Sequence, residues 1–243
     1  MKLRNLLVVL SLGCLVLTGC SSEKTKEVKL QPAPTYPGWV SIKIDKVGTL
    51  QVPPTMLQQT EADVKKELEA AKNDPKKLLT LQRKYTILKQ SKSIVCQATD
   101  SSKYARVVFS SLPVKDKIPA YGRPLGLKEA EIKDFGEITK EGIMAAAEGV
   151  TSKEMAGATN STIKYLKWQP MKSEIINGAE CLHIAYEYQQ DKEPSVWVDR
   201  YTFFDKNVIY TLDVSSRTAE KDLWHAKDKD INNIVQTLNI KAQ

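Results

Sequence analysis

Three strand-like segments near the C-terminal end constrain the fold of this chain more than any other feature. They span residues 179–190 (AECLHIAYEYQQ), 195–204 (SVWVDRYTFF) and 208–216 (VIYTLDVSS), and only short turns separate them. Residue character alternates along each segment, as expected for β-strands with two different faces. Consecutive strands joined by short turns form an antiparallel meander, so the sequence predicts such a sheet.

Other segments supply further strands and the helices that cover the sheet. Asn177-Gly178 is a strong signal for a two-residue hairpin turn, and Thr60 to Asp63 fits a helix capping box. The predicted strands are 39–45, 48–52, 93–98, 104–111 and 162–169. Two predicted helices begin near residues 60 and 74, and a third spans 127–149 with a break near Gly136 or Gly142. A last predicted helix, near 222–240, closes the domain. The last helix has an apolar set of Leu223, Ile231, Ile234, Val235 and Leu238. We therefore predict one α+β domain with an antiparallel sheet of about five to seven strands covered by helices.

One face of this sheet is a candidate ligand-binding surface. If the turn after Phe204 has two residues, Phe203 opposes Val208, and Tyr201 opposes Tyr210. The polar face then gathers four charged or titratable residues: His183, Glu187, Arg200 and Asp213. A three-residue loop with Asn207 in the left-handed conformation would recombine the faces. The alternative to a binding surface is a solvated face with ordinary cross-strand charge pairs, and we favour that interpretation.

The order of elements resembles the PsbP-like superfamily, which includes the extrinsic photosystem lumen protein and a Ran-binding nuclear import factor. The similarity lies in SEIINGAECLHIAYEY, SVWVDRYTFFDKNVIYTLDVSS and the segment DLWHAKDKDINNIVQTLNI, roughly residues 162–240. It implies an antiparallel sheet sandwiched by helices. It carries no diagnostic motif, and no functional residue follows from it.

Residues 1–19 are predicted to form an export signal. Lys2 and Arg4 are followed by an apolar run over 6–17, which is too short to span a bilayer. The run ends in Leu17-Thr18-Gly19-Cys20, which resembles the lipobox of bacterial prolipoproteins. The resemblance implies that Cys20 is lipidated, for example with palmitate, and becomes the mature N-terminus after 1–19 is removed. An uncleaved anchor helix, or processing at Cys14, is the alternative.

The region that follows is a predicted tether between membrane and domain. Residues 20–38 are polar and then proline-bearing, without helical or strand periodicity, and reach at most about 60 Å. The globular domain is predicted to span 39–243. These features predict a cell-envelope protein on the periplasmic side of the outer membrane in a diderm cell, or at the cell surface in a monoderm.

Charge argues against nucleic acid as a partner. The formal net charge is +7, and it falls to +5 once Lys2 and Arg4 are removed. Lysines and glutamates alternate without a dense basic block, and aromatic residues do not interleave with a basic stripe. The expected partners are the lipid membrane, through Cys20, and an unidentified envelope protein or small molecule.

Cys96 and Cys181 are the cysteines left in the predicted domain. Both lie in predicted strands of an exported protein, so they are candidates for a disulfide. Two buried free thiols are the alternative, and we favour it.

Motifs for catalysis and for cofactors are weak in this sequence. The chain has only two histidines, His183 and His225, and it has no G-x-S-x-G motif, phosphate-binding glycine loop or calcium-loop spacing. No metal and no cofactor are therefore expected. We predict a non-catalytic binding or interaction domain, with an envelope hydrolase as the alternative.

Overall fold

The computed structural model describes residues 29–74, 77–78, 81–82, 85, 88, 94–100, 102–115, 118–151, 162–226 and 229–241. The strands are β1 Val40–Ile44, β2 Gly48–Val52, β3 Met56–Gln59, β4 Ile94–Ala98, β5 Ala105–Pro113, β6 Ile163–Trp168, β7 Lys172–Ile176, β8 Ala179–Gln190, β9 Val196–Asp205, β10 Val208–Arg217 and β11 Asn239–Ile240. The helices are α1 Glu61–Ala70, α2 Glu129–Thr151, α3 Lys221–His225 and α4 Asp230–Gln236, with a 3-10 turn at Thr218–Glu220. Residues 77–78, 81–82, 85 and 88 are also helical.

Two antiparallel sheets contain the described strands. The large sheet has the order β3-β4-β5-β10-β9-β8-β6, and β7 pairs with β8 beside β6. The small sheet has the order β1-β2-β11. The predicted α+β class is confirmed, and the large sheet has eight strands instead of five to seven.

Helices and the small sheet cover the two faces of the large sheet. On the first face, strands β1, β2 and β11 and the helices α3 and α4 enclose the main core around Phe109, Phe203, Tyr210 and Leu212. On the second face, α2 packs through Ile132 and other residues over β8, β9 and β10. A smaller cluster buries Val64 of α1 on the same face of the sheet. Both faces of the large sheet are thus covered, as in a layered α+β domain.

The predicted helix cap at Thr60 and the predicted turn at Asn177-Gly178 are both present in the structure. Thr60 and Asp63 make the capping box: Thr60 Oγ1 accepts from the Asp63 backbone N–H, and Asp63 Oδ2 accepts from that of Thr60. Asn177 and Gly178 form the two-residue turn between β7 and β8, with φ of 51° and 78°. Two consecutive positive φ values are typical of a type I′ hairpin, which explains the Asn-Gly pair.

The β9–β10 hairpin differs from both predicted registers. Its turn is Lys206-Asn207, and Lys206, not Asn207, has a positive φ of 56°. Phe203 therefore pairs with Tyr210, and Tyr201 pairs with Leu212. This offset of two residues keeps each side chain on its predicted face within the hairpin, because faces alternate with a period of two.

Two predictions about helices were wrong. The helix α2 runs without a break through Gly136 and Gly142. Gly136 allows a close approach instead, because a Cβ at this position would lie 3.0 Å from the Cβ of Met171. The closing helix is divided into α3 and α4 and is followed by β11, and Leu223 is exposed while its neighbour Trp224 is buried.

The signal sequence, Cys20 and the first part of the predicted tether lie outside the described residues. The last part of that tether contacts the domain: the Gln31 N–H donates to the Asn177 carbonyl at 2.9 Å, and Tyr36 stacks on Trp39. The stretch outside the domain is therefore shorter than residues 20–38. Within the described part of the chain, no helix is long and apolar enough to span a bilayer.

The candidate disulfide is not formed. Cys96 and Cys181 are both free and buried. Cys96 lies on β4 and Cys181 on β8, with β5, β10 and β9 between them, which separates them by about 19 Å at ~4.8 Å per strand. A disulfide requires Cα atoms within about 7 Å.

Candidate functional site

The four residues predicted to share a polar face lie on two different faces. His183 is the cross-strand partner of Tyr201, and Glu187 is the partner of Trp197, so both histidine and glutamate face the first, main-core side. Arg200 pairs with Asp213 on the opposite side, beneath α2. The expected single surface therefore does not exist, since β8 joins β9 in a register that puts Leu182 and Ile184 on the face of Arg200.

Arg200 and Asp213 form a two-bond ion pair beneath α2. Nε of Arg200 donates to Oδ1 of Asp213 at 2.7 Å, and Nη2 donates to Oδ2 at 2.6 Å. Burial opposes the charge, but Asp213 outweighs it and raises the pKa of Arg200 above its ordinary value. A planar guanidinium matched to a carboxylate in this way fixes β9 against β10.

On the first face, His183 lies between two carboxylates. Its Nδ1 is 3.0 Å from Oε1 of Glu174, and its Nε2 is 2.8 Å from Oδ1 of Asp199. Both ring nitrogens therefore lie within hydrogen-bond distance of a carboxylate oxygen. The ring also stacks on Tyr201 at 4.4 Å with planes 3° apart, and Lys172 pairs with Glu174 at 2.5 Å.

The same Asp199 also holds the second histidine. Its Oδ2 accepts from Nδ1 of His225 at 2.7 Å and from the indole N–H of Trp197 at 3.0 Å. His225 ends α3, so this contact ties the C-terminal helices to the centre of the sheet. We call Glu174, His183, Asp199 and His225 the histidine–carboxylate chain. Sequence reasoning named His183 but missed Glu174 and Asp199, although the i, i+2 spacing of Trp197 and Asp199 places both on one strand face.

The surroundings of the histidine–carboxylate chain stabilise the negative charges of Asp199 and Glu174. Burial acts against ionisation of Asp199, but hydrogen bonds from His183 and His225 outweigh it and hold the pKa of that carboxyl well below its ordinary range. Burial likewise opposes ionisation of Glu174, and hydrogen bonds from Lys172 and His183 lower its pKa. Both carboxyls are thus ionised at neutral pH.

The histidine–carboxylate chain has some, but not all, parts of a hydrolytic site. Nε2 of His225 is buried and has no hydrogen-bond partner, and an Asp–His pair with one open nitrogen is the arrangement of a general base. No hydroxyl or thiol of the described residues bonds to either imidazole. The described residues also include no cluster of three or more His, Cys, Asp or Glu suited to a metal ion. The contacts to two carboxylates fit a structural role.

A groove on the second face is a candidate binding space, and the sequence did not predict it. It has a volume of about 720 Å³ and lies between α2 and the β6–β7 connection. Its apolar wall includes Ile132, Trp168 and Met171, and its charged lining comprises Lys133, Lys140, Lys172, Glu129 and Glu137. The Trp168 ring stacks on Tyr186 at 4.8 Å, which fixes its orientation, and Nζ of Lys140 lies 6.0 Å from its centroid.

A smaller cavity continues beneath α2. It has a volume of about 80 Å³, and its walls come from α2 and from β8, β9 and β10. Most of its lining is apolar: Phe135, Ile138, Met171, Leu182, Phe204 and Ile209. Arg200, Thr202, Thr211 and Thr139 supply the polar part. Met171 lines both the groove and the cavity.

Comparisons with known proteins leave the function open. No family model matches this chain, and no curated protein matches it. Among solved structures, the chain is similar to cyanobacterial PsbP (CyanoP) from Synechocystis sp. PCC 6803, with a TM-score of 0.42 and 9% identity over 93% of this chain and 99% of that chain. No function or family membership follows from a similarity of this size, and the α+β class stated above rests on the strands and helices of the chain itself.

Proposed function

We propose that this protein is an exported lipoprotein, anchored to a membrane by acylated Cys20, whose domain binds a ligand in the groove between α2 and the β6–β7 connection. It acts at the periplasmic side of the outer membrane in a diderm cell, or at the cell surface in a monoderm. The domain acts by binding and not by catalysis.

The N-terminal sequence supports the anchor. A positive start, a short apolar run and the Leu17-Thr18-Gly19-Cys20 box occur in the order of a lipoprotein signal. Lys29 and Leu30 already lie against Gly178 and Gly122 of the domain, so at most residues 20–28 are available as a spacer, and they span at most about 30 Å when fully extended. The domain is thereby kept close to the bilayer.

The groove is the observation that carries the binding proposal. Its volume of about 720 Å³ lies within the usual range of ~300–1,000 Å³ for small-molecule sites. It combines an aromatic ring held in place by stacking with lysine side chains at the rim, so it offers both apolar contact and charge.

The anchor is tested by the intact mass of protein extracted from its own membranes. The expected mass corresponds to a chain that begins at Cys20 and carries acyl groups. An unmodified Cys20, or a chain that retains residues 1–19, would contradict the anchor without affecting the groove.

The binding proposal is tested by native mass spectrometry of the same extracted protein. We expect a non-covalent ligand on the wild type that is lost from Trp168→Ala and retained by Leu166→Ala. Leu166 lies on the same strand and is exposed, so it is a matched control. A wild-type protein that carries no additional mass would count against the groove as a ligand site.

An envelope hydrolase is the competing function, and the open Nε2 of His225 is the observation in its favour. A fluorophosphonate probe distinguishes the two, because it labels a serine activated by a neighbouring histidine. If the domain binds without catalysis, the probe should label no serine in a way that depends on Asp199. Labelling of the wild type that is lost in Asp199→Asn would favour the hydrolase.

A third possibility is a structural role with another envelope protein as the partner. Chemical crosslinking in intact membranes would capture such a protein, and a crosslink that maps to α2 would compete directly with a small ligand.

A further inference from the structure

We propose that the ligand of the groove is a single-chain amphiphile with an anionic head group, whose apolar chain passes Met171 and enters the cavity beneath α2. The inference rests on the proposed function and names the class of ligand that the groove accepts.

The cavity accommodates the apolar part of such a ligand. Its lining from Phe135, Ile138, Leu182, Phe204 and Ile209 is hydrocarbon, and burying apolar surface there is favourable at about 25 cal/mol per Å². The charged residue in its lining, Arg200, is neutralised by both carboxylate oxygens of Asp213. A second charge in the cavity would be desolvated without a counter-ion, so the cavity takes a chain and not a charged head.

Met171 is suited to act as the gate between the two spaces. Its side chain lines both the groove and the cavity. Methionine is unbranched and flexible, so it can change rotamer at low cost. Gly136 rests directly on the Met171 backbone and Cβ, which holds α2 in place while the end of the methionine side chain moves.

The charge at the mouth favours an anionic head group. Three lysines and two glutamates line the groove. Lys140 pairs with Glu137 at 3.5 Å and Lys172 with Glu174 at 2.5 Å, whereas Lys133 has no ion-pair partner within the described part of the chain. Glu129 lies in the first turn of α2, where the positive end of the helix dipole offsets its charge. Lys133 is therefore the cation that meets the head group.

Both a fatty acid carboxylate and the phosphate of a single-chain lysophospholipid have this chemistry. A double-chain phospholipid does not fit, because the cavity of about 80 Å³ has room for one chain end only.

The test is photolabelling of the full-length protein, extracted from its membranes and held in phospholipid nanodiscs. The probes are palmitic acid with a terminal diazirine, palmitoyl lysophosphatidic acid with the same diazirine, and hexadecanol with the same diazirine as the neutral analogue. After irradiation, adducts are mapped by peptide mass spectrometry. We expect both anionic probes to label the peptides of Phe135–Thr139 and Leu182–Ile184 more strongly than the alcohol does, and the stronger of the two identifies the head group.

Two variants separate the roles of charge and cavity. Lys133→Glu reverses one exposed charge and should reduce labelling by the anionic probes about fivefold, which corresponds to about 1 kcal/mol. Labelling by the alcohol should be unchanged. Lys43→Glu on the opposite side of the domain is the matched control and should label as the wild type. Thr139 is half-buried on α2 and lines the cavity, so Thr139→Leu should narrow the cavity and reduce labelling by every probe. Circular dichroism verifies that this variant folds.

Labelling that maps elsewhere, or equal labelling by acid and alcohol that Lys133→Glu does not alter, would overturn the inference. A ligand detected in the groove by native mass spectrometry that is not an amphiphile would also overturn it, and would leave the proposed function intact. Absence of any groove ligand would count against both.

Discussion

Asp199 ties the C-terminal helices to the middle of the large sheet through His225, with 2.7 Å between Oδ2 of the carboxylate and Nδ1 of the ring. The same carboxylate holds His183 through its other oxygen. One residue of β9 therefore links β8 and α3, which are far apart in sequence.

The substitution Asp199→Asn should destabilise the domain by about 3 kcal/mol, because the buried carboxylate bonds to His183, Trp197 and His225, and an amide has only one oxygen to accept with. Urea unfolding measures this change. Asp222 is exposed and lies in α3, the helix that His225 ends, so it offers a control. The substitution Asp222→Asn should change the free energy of unfolding by less than about 0.5 kcal/mol. Equal effects of the two substitutions would show that the histidine–carboxylate chain contributes little.

Stability should fall steeply on acidification. The folded-state pKa values of Asp199 and Glu174 lie below their ordinary values, so unfolding takes up protons at these groups. The stabilisation is present above the unfolded pKa of about 4 and is lost as pH falls through the lower folded values. The groups that face these carboxyls are Lys172, His183 and His225.

Thermal unfolding from pH 6 to pH 2 tests the acid dependence. We expect a decreasing midpoint in the wild type and a shallower slope for Asp199→Asn. Parallel curves for the two proteins would assign the acid sensitivity to other groups.

The Arg200–Asp213 pair should be strongly coupled. Arg200→Met alone leaves a carboxylate buried beneath α2 and should cost about 3 kcal/mol, while the double variant Arg200→Met, Asp213→Leu should recover most of the loss. A double-mutant cycle in urea measures the coupling. Additive losses in the cycle would mean that the two side chains act independently.

Both thiols of the domain should be free and unreactive in the folded state. Burial raises the pKa of the Cys96 thiol to about 12, and burial, followed by the charges of Glu174 and Glu180, raises that of Cys181 as well. Iodoacetamide should leave both thiols of the folded protein unmodified. It should modify both after the protein is unfolded, with no reductant needed. Recovery of a Cys96–Cys181 disulfide peptide would contradict the strand order.

Local signals in the sequence predicted much of the fold. The Thr60 capping box, the Asn177-Gly178 turn and the residue alternation of β8 to β10 depend on neighbours along the chain, and each is found in the structure. The free state of Cys96 and Cys181, in contrast, depends on the strand order, which local patterns do not determine.

The site itself depended on long-range pairing. The predicted register of the β9–β10 hairpin was wrong by two residues, because the positive φ of this turn falls on Lys206 and lysine carries no sequence signal for that conformation. The pairing of β8 with β9 could not be derived from hydrophobicity, because both faces of the sheet are covered and both carry apolar residues. His183 was therefore assigned to the face of Arg200, and its bond to Asp199 was missed.

The groove was also outside the reach of sequence patterns. Residues 152–167 separate α2 from Trp168 along the chain, and no local pattern shows that Trp168 and Met171 share one space with Lys133. Only the packing of α2 on the sheet brings them together.

The central claim, that the space beneath α2 is a ligand site, is tested most directly by an experimental electron-density map of the protein purified from its own membranes. We expect continuous density that contacts the Trp168 ring, passes Met171 and extends into the cavity lined by Phe135 and Leu182. Well-resolved density for isolated water molecules alone, in both the groove and the cavity, would contradict it.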